Sequence, residues 1–227
     1  MIHHIPNVLS TSQVQYFREE MDKIEWVNGK VTAGTLSATV KNNQQLPEDH
    51  PLTHHLGTII LESLGQHPLF LSAAIPLDII PPLFNRYESN ESFGFHVDNS
   101  IRRIRGTNER LRTDLSCTVF LSEPDEYEGG ELVVEDTYGF HDIKLPAGDM
   151  VLYPSTSLHE VTAVSSGCRI ASFFWVQSMI REESERYTLF ILDQSIQSLR
   201  MQLGDQHQDV IKLTNMYHNL MRKWAEL

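Results

Sequence analysis

Residues 115–176 read LSCTVFLSEPDEYEGGELVVEDTYGFHDIKLPAGDMVLYPSTSLHEVTAVSSGCRIASFFWV, and this stretch decides the fold class. Short runs of β-branched and aromatic residues alternate with turn signals such as Glu128-Gly129-Gly130 and Ser165-Ser166-Gly167. Together with an upstream run, the predicted strands are Ala73–Tyr87, Leu115–Leu121, Glu131–Glu135, Tyr138–Leu145, Met150–Tyr153, His159–Val164 and Cys168–Val176. About seven short strands at this spacing favour a jelly-roll or barrel over a parallel α/β sheet.

Helical patterns flank the strands on both sides. Ser10 to Ile24 and about Thr53 to Leu64 predict N-terminal helices, the first opened by Ser and Thr caps. Two C-terminal stripes repeat at a spacing of three and four residues: Leu189, Leu192, Ile196, Leu199 and Leu203, then Leu213, Tyr217, Leu220, Trp224 and Leu227. We therefore predict an α+β fold with a double-stranded β-helix (jelly-roll) core in residues 73–178, a helical and extended support region in 1–72, and a helical hairpin in 179–227.

Composition narrows the function classes. The chain has 227 residues and a formal net charge of −12, which argues against nucleic acid or an anionic membrane as its general partner. We see no apolar run of membrane-spanning length and no signal peptide in the first residues. Cys117 and Cys168 suit free thiols in a reducing cytoplasm, with a disulfide or metal role as the alternative.

His96-Val97-Asp98, followed 61 residues after Asp98 by His159, is the candidate metal motif. Two imidazoles and one carboxylate form the facial triad of non-haem Fe(II) sites. His96 and Asp98 can share one metal if the chain there is extended, because residues i and i+2 of a strand point the same way. The pair His207-Gln208-Asp209 precedes a helical stretch, where such residues do not share a face.

Arg169 stands ten residues beyond His159, in the last predicted strand. It shares the inward face with Ala171, Phe173 and Trp175. A buried guanidinium needs an anion, so Arg169 is expected to bind either a ligand carboxylate or a structural Asp or Glu.

A family resemblance is visible in six segments of the chain. They are Asn85-Arg86-Tyr87, Phe95-His96-Val97-Asp98, Gly129-Gly130-Glu131-Leu132, Gly148-Asp149-Met150-Val151-Leu152-Tyr153-Pro154, Leu158-His159-Glu160-Val161 and Gly167-Cys168-Arg169. Residues 75 to 178 resemble the Fe(II)/2-oxoglutarate-dependent dioxygenases of the prolyl-4-hydroxylase type. Nearly the whole chain resembles the bacterial PKHD-type hydroxylases, given Lys41-Asn42-Asn43-Gln44-Gln45 and the helical C-terminal region.

The resemblance implies that His96, Asp98 and His159 bind Fe(II), and that Arg169 holds the distal carboxylate of 2-oxoglutarate. Tyr87 is a second candidate contact for this co-substrate. The implied reaction uses O2, hydroxylates a substrate and releases succinate and CO2, with L-ascorbate maintaining the iron. The substrate is open between a peptide side chain and a small metabolite.

Two rival functions remain open at this point. A cupin-like non-oxidative metalloenzyme, such as an isomerase or zinc hydrolase, needs the metal ligands but has no use for Arg169. A non-catalytic module that senses 2-oxoglutarate or iron would keep all four residues.

Weaker patterns suggest roles for three further groups of residues. The basic run Arg102, Arg103, Arg105, Arg110 and Arg112 is either a solvated loop or a mobile lid that steers an anionic substrate. We expect surface or helix-capping roles for His50, His54, His55 and His67. The C-terminal helices pack on each other and the barrel, or they form a homo-oligomer contact.

Overall fold

The computed structural model describes residues 1–32, 37–104 and 106–227 of the chain. Its helices are α1 (Thr11–Met21), α2 (Ser37–Val40), α3 (Pro51–Leu64), α4 (Pro68–Ala74), α5 (Glu183–Leu203) and α6 (Gln208–Trp224), with a 3-10 turn at Gly29–Thr32. No helix in the described ranges is both long enough and apolar enough to span a membrane.

The strands carry most of the chain between residues 76 and 178. They are β1 (His3–Ile5), β2 (Val27–Asn28), β3 (Lys41–Asn42), β4 (Gln44–Gln45), β5 (Pro76–Ile79), β6 (Leu83–Tyr87), β7 (Ser92–His96), β8 (Ile101–Arg103), β9 (Arg110–Arg112), β10 (Leu115–Phe120), β11 (Tyr127–Gly129), β12 (Leu132–Asp136), β13 (Gly139–Ile143), β14 (Met150–Pro154), β15 (His159–Val161), β16 (Val164–Gly167) and β17 (Arg169–Ser178).

Two antiparallel sheets form the predicted double-stranded β-helix. The larger sheet has the strand order β1-β14-β10-β17-β6-β4-β2, with β5 also paired to β17. The smaller sheet has the order β13-β12-β15-β7-β3, and two short hairpins, β8-β9 and β11-β16, complete the strands. The chain passes repeatedly from one sheet to the other, as from β6 to β7 and from β14 to β15, and this crossover order is that of a jelly-roll.

Two apolar clusters hold these layers together. One lies between the larger sheet and the N-terminal helices, and it includes Phe17 of α1 and Leu56 of α3. The other lies between the sheets, where Phe120 and Tyr153 of the larger sheet pack with Leu132 of the smaller one. The helices therefore cover one face of the larger sheet, and the other face is left to line the interior between the sheets.

Helix boundaries follow their capping residues. Ser10 and Gln13 form a reciprocal capping box that opens α1, as the Ser and Thr pattern predicted. The His50 side chain accepts from the backbone N–H of Leu52 and opens α3 two residues before the predicted Thr53. The predicted C-terminal hairpin is confirmed, since α5 packs along α6 and both contribute to an apolar cluster around Ile180.

The predicted strand Ala73–Tyr87 is wrong at its start and in its middle. Pro68, in the first turn of a helix capped by His67, begins α4, which continues through Ala74. Pro81-Pro82 then separates β5 from β6, because proline has no N–H to donate to the sheet. The predicted strand His159–Val164 also divides, into β15 and β16, which pair with different partners.

Candidate metal centre and co-substrate pocket

His96, Asp98 and His159 converge on one point between the sheets. Each offers a ligand atom, and the three atoms lie within 4.8 Å of one another. His96 ends β7 and His159 begins β15, and the two residues are direct partners across these antiparallel strands. Ligands of one metal ion at about 2.1 Å can be up to about 4.2 Å apart, so small side-chain movements suffice to bind an ion.

Backbone carbonyls fix both histidine rings for metal binding. Nδ1 of His96 donates to the carbonyl of Gly94 at 2.9 Å, and Nδ1 of His159 donates to that of Ser157 at 3.0 Å. Both Nε2 atoms are thereby left as lone-pair donors, as a metal requires. Burial, reinforced by the neighbouring His159 ring, lowers the pKa of His96 to about 4, so this imidazole is neutral at pH 7.

A pair of serines holds the Asp98 carboxylate. The hydroxyl of Ser116 donates to Asp98 Oδ2 at 2.7 Å, and the hydroxyls of Ser116 and Ser155 are 2.8 Å apart. Asp98 lies beyond the end of β7, so the extended backbone alone does not place it. Hydrogen bonds to ligating carboxylates commonly tune metal affinity, and here they also set the direction of the carboxylate.

Aromatic rings pack around the imidazoles and limit their movement. Phe93 stacks on His96 with ring centroids 3.6 Å apart and planes 14° apart. Tyr153 meets His159 edge-on at 5.2 Å, and burial raises the pKa of this tyrosine well above its usual range. The two metal-facing rings are therefore held in place by apolar contacts as well as by hydrogen bonds.

Arg169 is the first residue of β17 and is only 1% exposed. Its guanidinium carbon lies 5.4 Å from the ring centroid of Tyr87 and 5.3 Å from that of Phe120. No Asp or Glu of the described residues forms an ion pair with it, and its Nε has no hydrogen-bond partner there. The alternative of a structural carboxylate partner is therefore not supported, and the buried cation calls for a ligand anion.

Gly130 makes room for this arginine. A Cβ at position 130 would lie 3.1 Å from Cδ of Arg169 and 2.8 Å from Cγ2 of Val164. The φ of +67° at Gly130 also favours glycine over residues with a side chain. The Gly129-Gly130 turn signal thus has a role at the site in addition to its role in the chain reversal.

Tyr87 lies directly opposite Arg169 on the neighbouring strand β6. It is 1% exposed, and burial raises the pKa of its phenol to about 12, so the hydroxyl stays protonated. A protonated phenol can donate a hydrogen bond to a carboxylate. Its contact with the co-substrate stays a prediction.

One pocket joins the triad to Arg169. It has about 720 Å³ of empty space, part of it open to solvent, and its lining includes all three candidate ligands, Arg169 and Tyr87. Two imidazole nitrogens and a carboxylate suit Fe(II), and a cation at the end of the same pocket suits a dicarboxylate that also reaches the metal.

The other predicted polar groups lie elsewhere. His50 and His67 cap α3 and α4, and His54 and His55 are exposed, as expected. His207 caps α6 by accepting from the N–H of Asp209, so this second His-x-Asp pair lies at a helix N-terminus. Cys117 and Cys168 are both free thiols.

The basic run is a β-hairpin, β8-β9, and its arginines have different surroundings. Arg103 bonds within the hairpin to Thr107 and Asn108, whereas Arg112 pairs with Asp114 and Glu226. Arg102 turns into the pocket and lies over Trp175. Arg105 lies outside the described residues, so its place in the predicted lid is not described.

The sequence did not point to three pocket residues, Lys41, Ser116 and Tyr153, nor to Ser155, which meets Ser116. Ser116 had a signal, because it and Thr118 are polar residues on the same face of a strand that is otherwise apolar. Lys41 had one in the motif Lys41–Gln45, but nothing in that motif indicates that the lysine is buried.

The fold and the candidate site together indicate the class of enzyme to which the chain belongs. A family model described as the 2OG-Fe(II) oxygenase superfamily matches residues 82–177, and one described as the PKHD-type hydroxylase C-terminal domain matches residues 183–226. The first of these covers strands β6 to β16, most of β17 and all five predicted site residues. The chain is therefore a 2-oxoglutarate- and Fe(II)-dependent oxygenase.

Relatives that match over the full length identify the family within this superfamily. The chain is 86% identical over 227 residues, all of both chains, to a PKHD-type hydroxylase of Acinetobacter baumannii (strain AYE). It is 57% identical over 226 residues, again covering both chains fully, to a PKHD-type hydroxylase of Burkholderia lata. The chain belongs to the PKHD-type hydroxylases and is an oxidoreductase.

Solved structures with the same fold contain very different bound molecules. A prolyl hydroxylase of Trichoplax adhaerens, solved with a peptide fragment of hypoxia inducible factor, has a TM-score of 0.56 at 14% identity, covering 82% of this chain and 86% of its own. HygX of Streptomyces hygroscopicus, solved with nickel, 2-oxoglutarate and hygromycin B, has a TM-score of 0.53 at 15% identity, covering 80% and 84%. At these identities the likeness establishes the fold alone.

Proposed function

We propose that His96, Asp98 and His159 bind the Fe(II) of this hydroxylase and that Arg169 binds the distal carboxylate of 2-oxoglutarate. The observation that carries the proposal is a triad in one pocket with a fully buried arginine that forms no ion pair with a carboxylate of the described residues. Bound iron with 2-oxoglutarate supplies the oxidising power that inserts one atom of O2 into the substrate and yields succinate and CO2.

The chain's own residues orient and isolate these reactants. Ser116 keeps the Asp98 carboxylate turned toward the imidazoles, and the carbonyls of Gly94 and Ser157 keep both Nε2 atoms free of protons. Arg169 fixes one end of the co-substrate, with Tyr87 as a second hydrogen-bond donor. Phe120 and Leu132, buried between the sheets, exclude water from that end of the pocket.

Anaerobic absorption spectroscopy tests these roles. Addition of Fe(II) and then 2-oxoglutarate to the apoprotein should give the weak visible charge-transfer band of a chelated keto acid. His159→Ala should lose the band, and Arg169→Ala should need far more 2-oxoglutarate to produce it. Tight metal binding without a band in the unmodified protein would favour the non-oxidative metalloenzyme. A band without succinate production in air, with any substrate tried, would favour the sensing module.

The remaining expectations are proposals of the same kind. Ascorbate should prolong turnover by returning oxidised iron to Fe(II), and the number of turnovers with and without it measures this. The free thiols Cys117 and Cys168 support a cytoplasmic location, because they suit a reducing compartment. A peptide side chain and a small metabolite both remain possible substrates, and no nucleic acid or membrane partner is proposed.

We propose three structural units, residues 1–72, 73–178 and 179–227, supported by the extents of the two matching family models. Self-association through α5 and α6 is supported by exposed apolar side chains, namely Ile191, Met201, Ile211 and Met216. Light scattering of the purified protein distinguishes a monomer from a dimer.

A further inference from the structure

A second group of cations lines the pocket away from Arg169. Arg102 from the hairpin β8-β9 and Lys41 from β3 both contribute to its wall. Neither is needed to bind iron or the distal carboxylate of 2-oxoglutarate in the function proposed above. Their geometry indicates what the rest of the pocket receives.

Arg102 is held by an aromatic face, and the charges of Asp98 and Glu48 act on it without forming an ion pair among the described residues. Its guanidinium carbon lies 3.8 Å from the ring centroid of Trp175, and burial lowers its pKa. Among the described residues, no carboxylate forms an ion pair with it and no oxygen accepts a hydrogen bond from it. A stacked guanidinium keeps its in-plane N–H groups available, and two of them match the oxygens of a carboxylate.

Lys41 adds a second positive charge beside it. The residue is 3% exposed, and its Nζ donates to Oε1 of Gln45 at 2.6 Å. Nζ also lies 5.2 Å from the ring centroid of Phe93, the ring that stacks on His96, and 5.5 Å from that of Phe173. Burial, followed by the nearby charge of Arg102, lowers the pKa of Lys41 to about 8, so most molecules keep this charge at pH 7.

The positions of these cations separate them from the co-substrate end. Trp175 and Arg169 share the inward face of β17 but are six residues apart, which is roughly 20 Å along an extended strand. The described residues that line the pocket include three cationic side chains and one carboxylate, Asp98, and the charge of Glu48 also acts on Arg102 and Lys41. A divalent metal and a dianionic co-substrate cancel each other's charge, so the loaded pocket keeps an excess of positive charge.

We propose that Arg102, with support from Lys41, binds a carboxylate of the hydroxylated substrate. The substrate is then an organic acid, whether a free metabolite or an acidic residue of a peptide. The apolar part of that substrate packs against Phe173, which lines the pocket and meets the ring of Trp175 edge-on at 5.6 Å. This inference rests on the proposed function, because it assumes that Arg169 is occupied by 2-oxoglutarate.

Binding of benzoate and of its neutral isostere benzamide tests the inference. The protein is loaded with Ni(II) in place of iron, which prevents turnover, and with 2-oxoglutarate. Ligand-observed NMR then gives the dissociation constant of each probe. A charge-assisted hydrogen-bonded pair predicts that benzoate binds about 10- to 100-fold more tightly than benzamide.

Arg102→Gln should remove this preference while leaving the affinity for 2-oxoglutarate, measured by calorimetry, unchanged. Arg103→Gln is the matched control, because it removes the same charge from the next residue of the hairpin, where the side chain bonds to Thr107 and Asn108. This control should keep most of the preference for benzoate.

Three results would overturn the inference. The first is that benzoate binds no more tightly than benzamide, or does not bind at all. The second is that Arg102→Gln and Arg103→Gln change the preference for benzoate equally. The third is that Arg102→Gln loses affinity for 2-oxoglutarate. Failure of 2-oxoglutarate to bind the Ni(II) protein would instead refute the proposed function. The two proposals therefore fail by different measurements.

Discussion

Replacing Arg169 by methionine should stabilise the ligand-free protein and abolish its stabilisation by 2-oxoglutarate. Methionine keeps a long, flexible apolar side chain between the rings of Tyr87 and Phe120 but removes the charge. Both effects have one cause: the Arg169 guanidinium is 1% exposed and has no carboxylate partner among the described residues. Its charge lowers the stability of the ligand-free protein, and the same charge binds the carboxylate of 2-oxoglutarate.

The magnitude can be worked from the contacts. A charge held in the interior without a counter-ion costs several kcal/mol of desolvation, and the two ring contacts return about 0.5–1 kcal/mol each. The substitution should therefore raise the free energy of unfolding by about 1–3 kcal/mol without ligand. Wild-type protein gains about 2.7 kcal/mol at a 2-oxoglutarate concentration of 100 times the dissociation constant, and the variant should gain almost none.

Urea unfolding of the Ni(II)-loaded protein, with and without 2-oxoglutarate, measures both effects. Arg86→Met is the control on the adjacent strand, because Arg86 is only partly buried and donates to Gln44. That variant should show no gain in stability and should keep its response to 2-oxoglutarate. The reasoning is refuted if Arg169→Met is less stable than wild type without ligand, or if 2-oxoglutarate stabilises it normally.

Three further predictions follow from the surroundings of the site. Ser116→Ala should weaken Fe(II) binding by about 10- to 100-fold, since it frees the Asp98 carboxylate, and a metal titration against a chelator would show whether it does. Gly130→Ala should raise the dissociation constant of 2-oxoglutarate and lower the melting temperature, because the added methyl group presses on Arg169 and Val164; unchanged binding by calorimetry would argue against that contact. The metal-free protein should lose stability as the pH falls from 6.5 to about 4, because burial lowers the pKa of His96 to about 4 and the unfolded chain takes up that proton first. Burial also lowers the pKa of His3 to about 4, so His3 contributes to the same loss of stability between pH 6.5 and 4. The urea midpoint should therefore become independent of pH in this range only when His96 and His3 are both replaced by asparagine.

Much of the site could be predicted because its residues lie at strand ends. His159 and Arg169 begin β15 and β17, and the alternation of side chains along a strand made Arg169 point inward. The pairing of β7 with β15 in the jelly-roll brings His96 and His159 together, although they are distant in sequence. The predicted strand Ala73–Tyr87 was wrong because short apolar helices and strands have similar sequence patterns. The element boundaries lie at prolines: Pro68 begins α4, and Pro81-Pro82 separates β5 from β6.

What could not be predicted depends on pairing across the fold. Nothing in the sequence near Ser116 indicates that its hydroxyl meets Asp98, which is 18 residues away and beyond the end of its strand. The basic run looked like a solvated segment because charge runs usually are. Its hairpin register turns Arg102 over Trp175 and sends Arg103 to its own loop, and neither contact is visible in the composition.

The register of β17 links the two ends of the pocket. Side chains alternate along the strand, so a shift of one residue would turn Arg169 and Trp175 away from the pocket together. Ser172, on the opposite face, is fully buried and donates to the backbone carbonyl of Leu83 at 2.9 Å. Ser172→Val should therefore affect both ends at once, lowering 2-oxoglutarate affinity and benzoate preference in parallel. A variant that lost one without the other would show that the two ends are positioned independently, by the residues around Arg169 and by the β8-β9 hairpin.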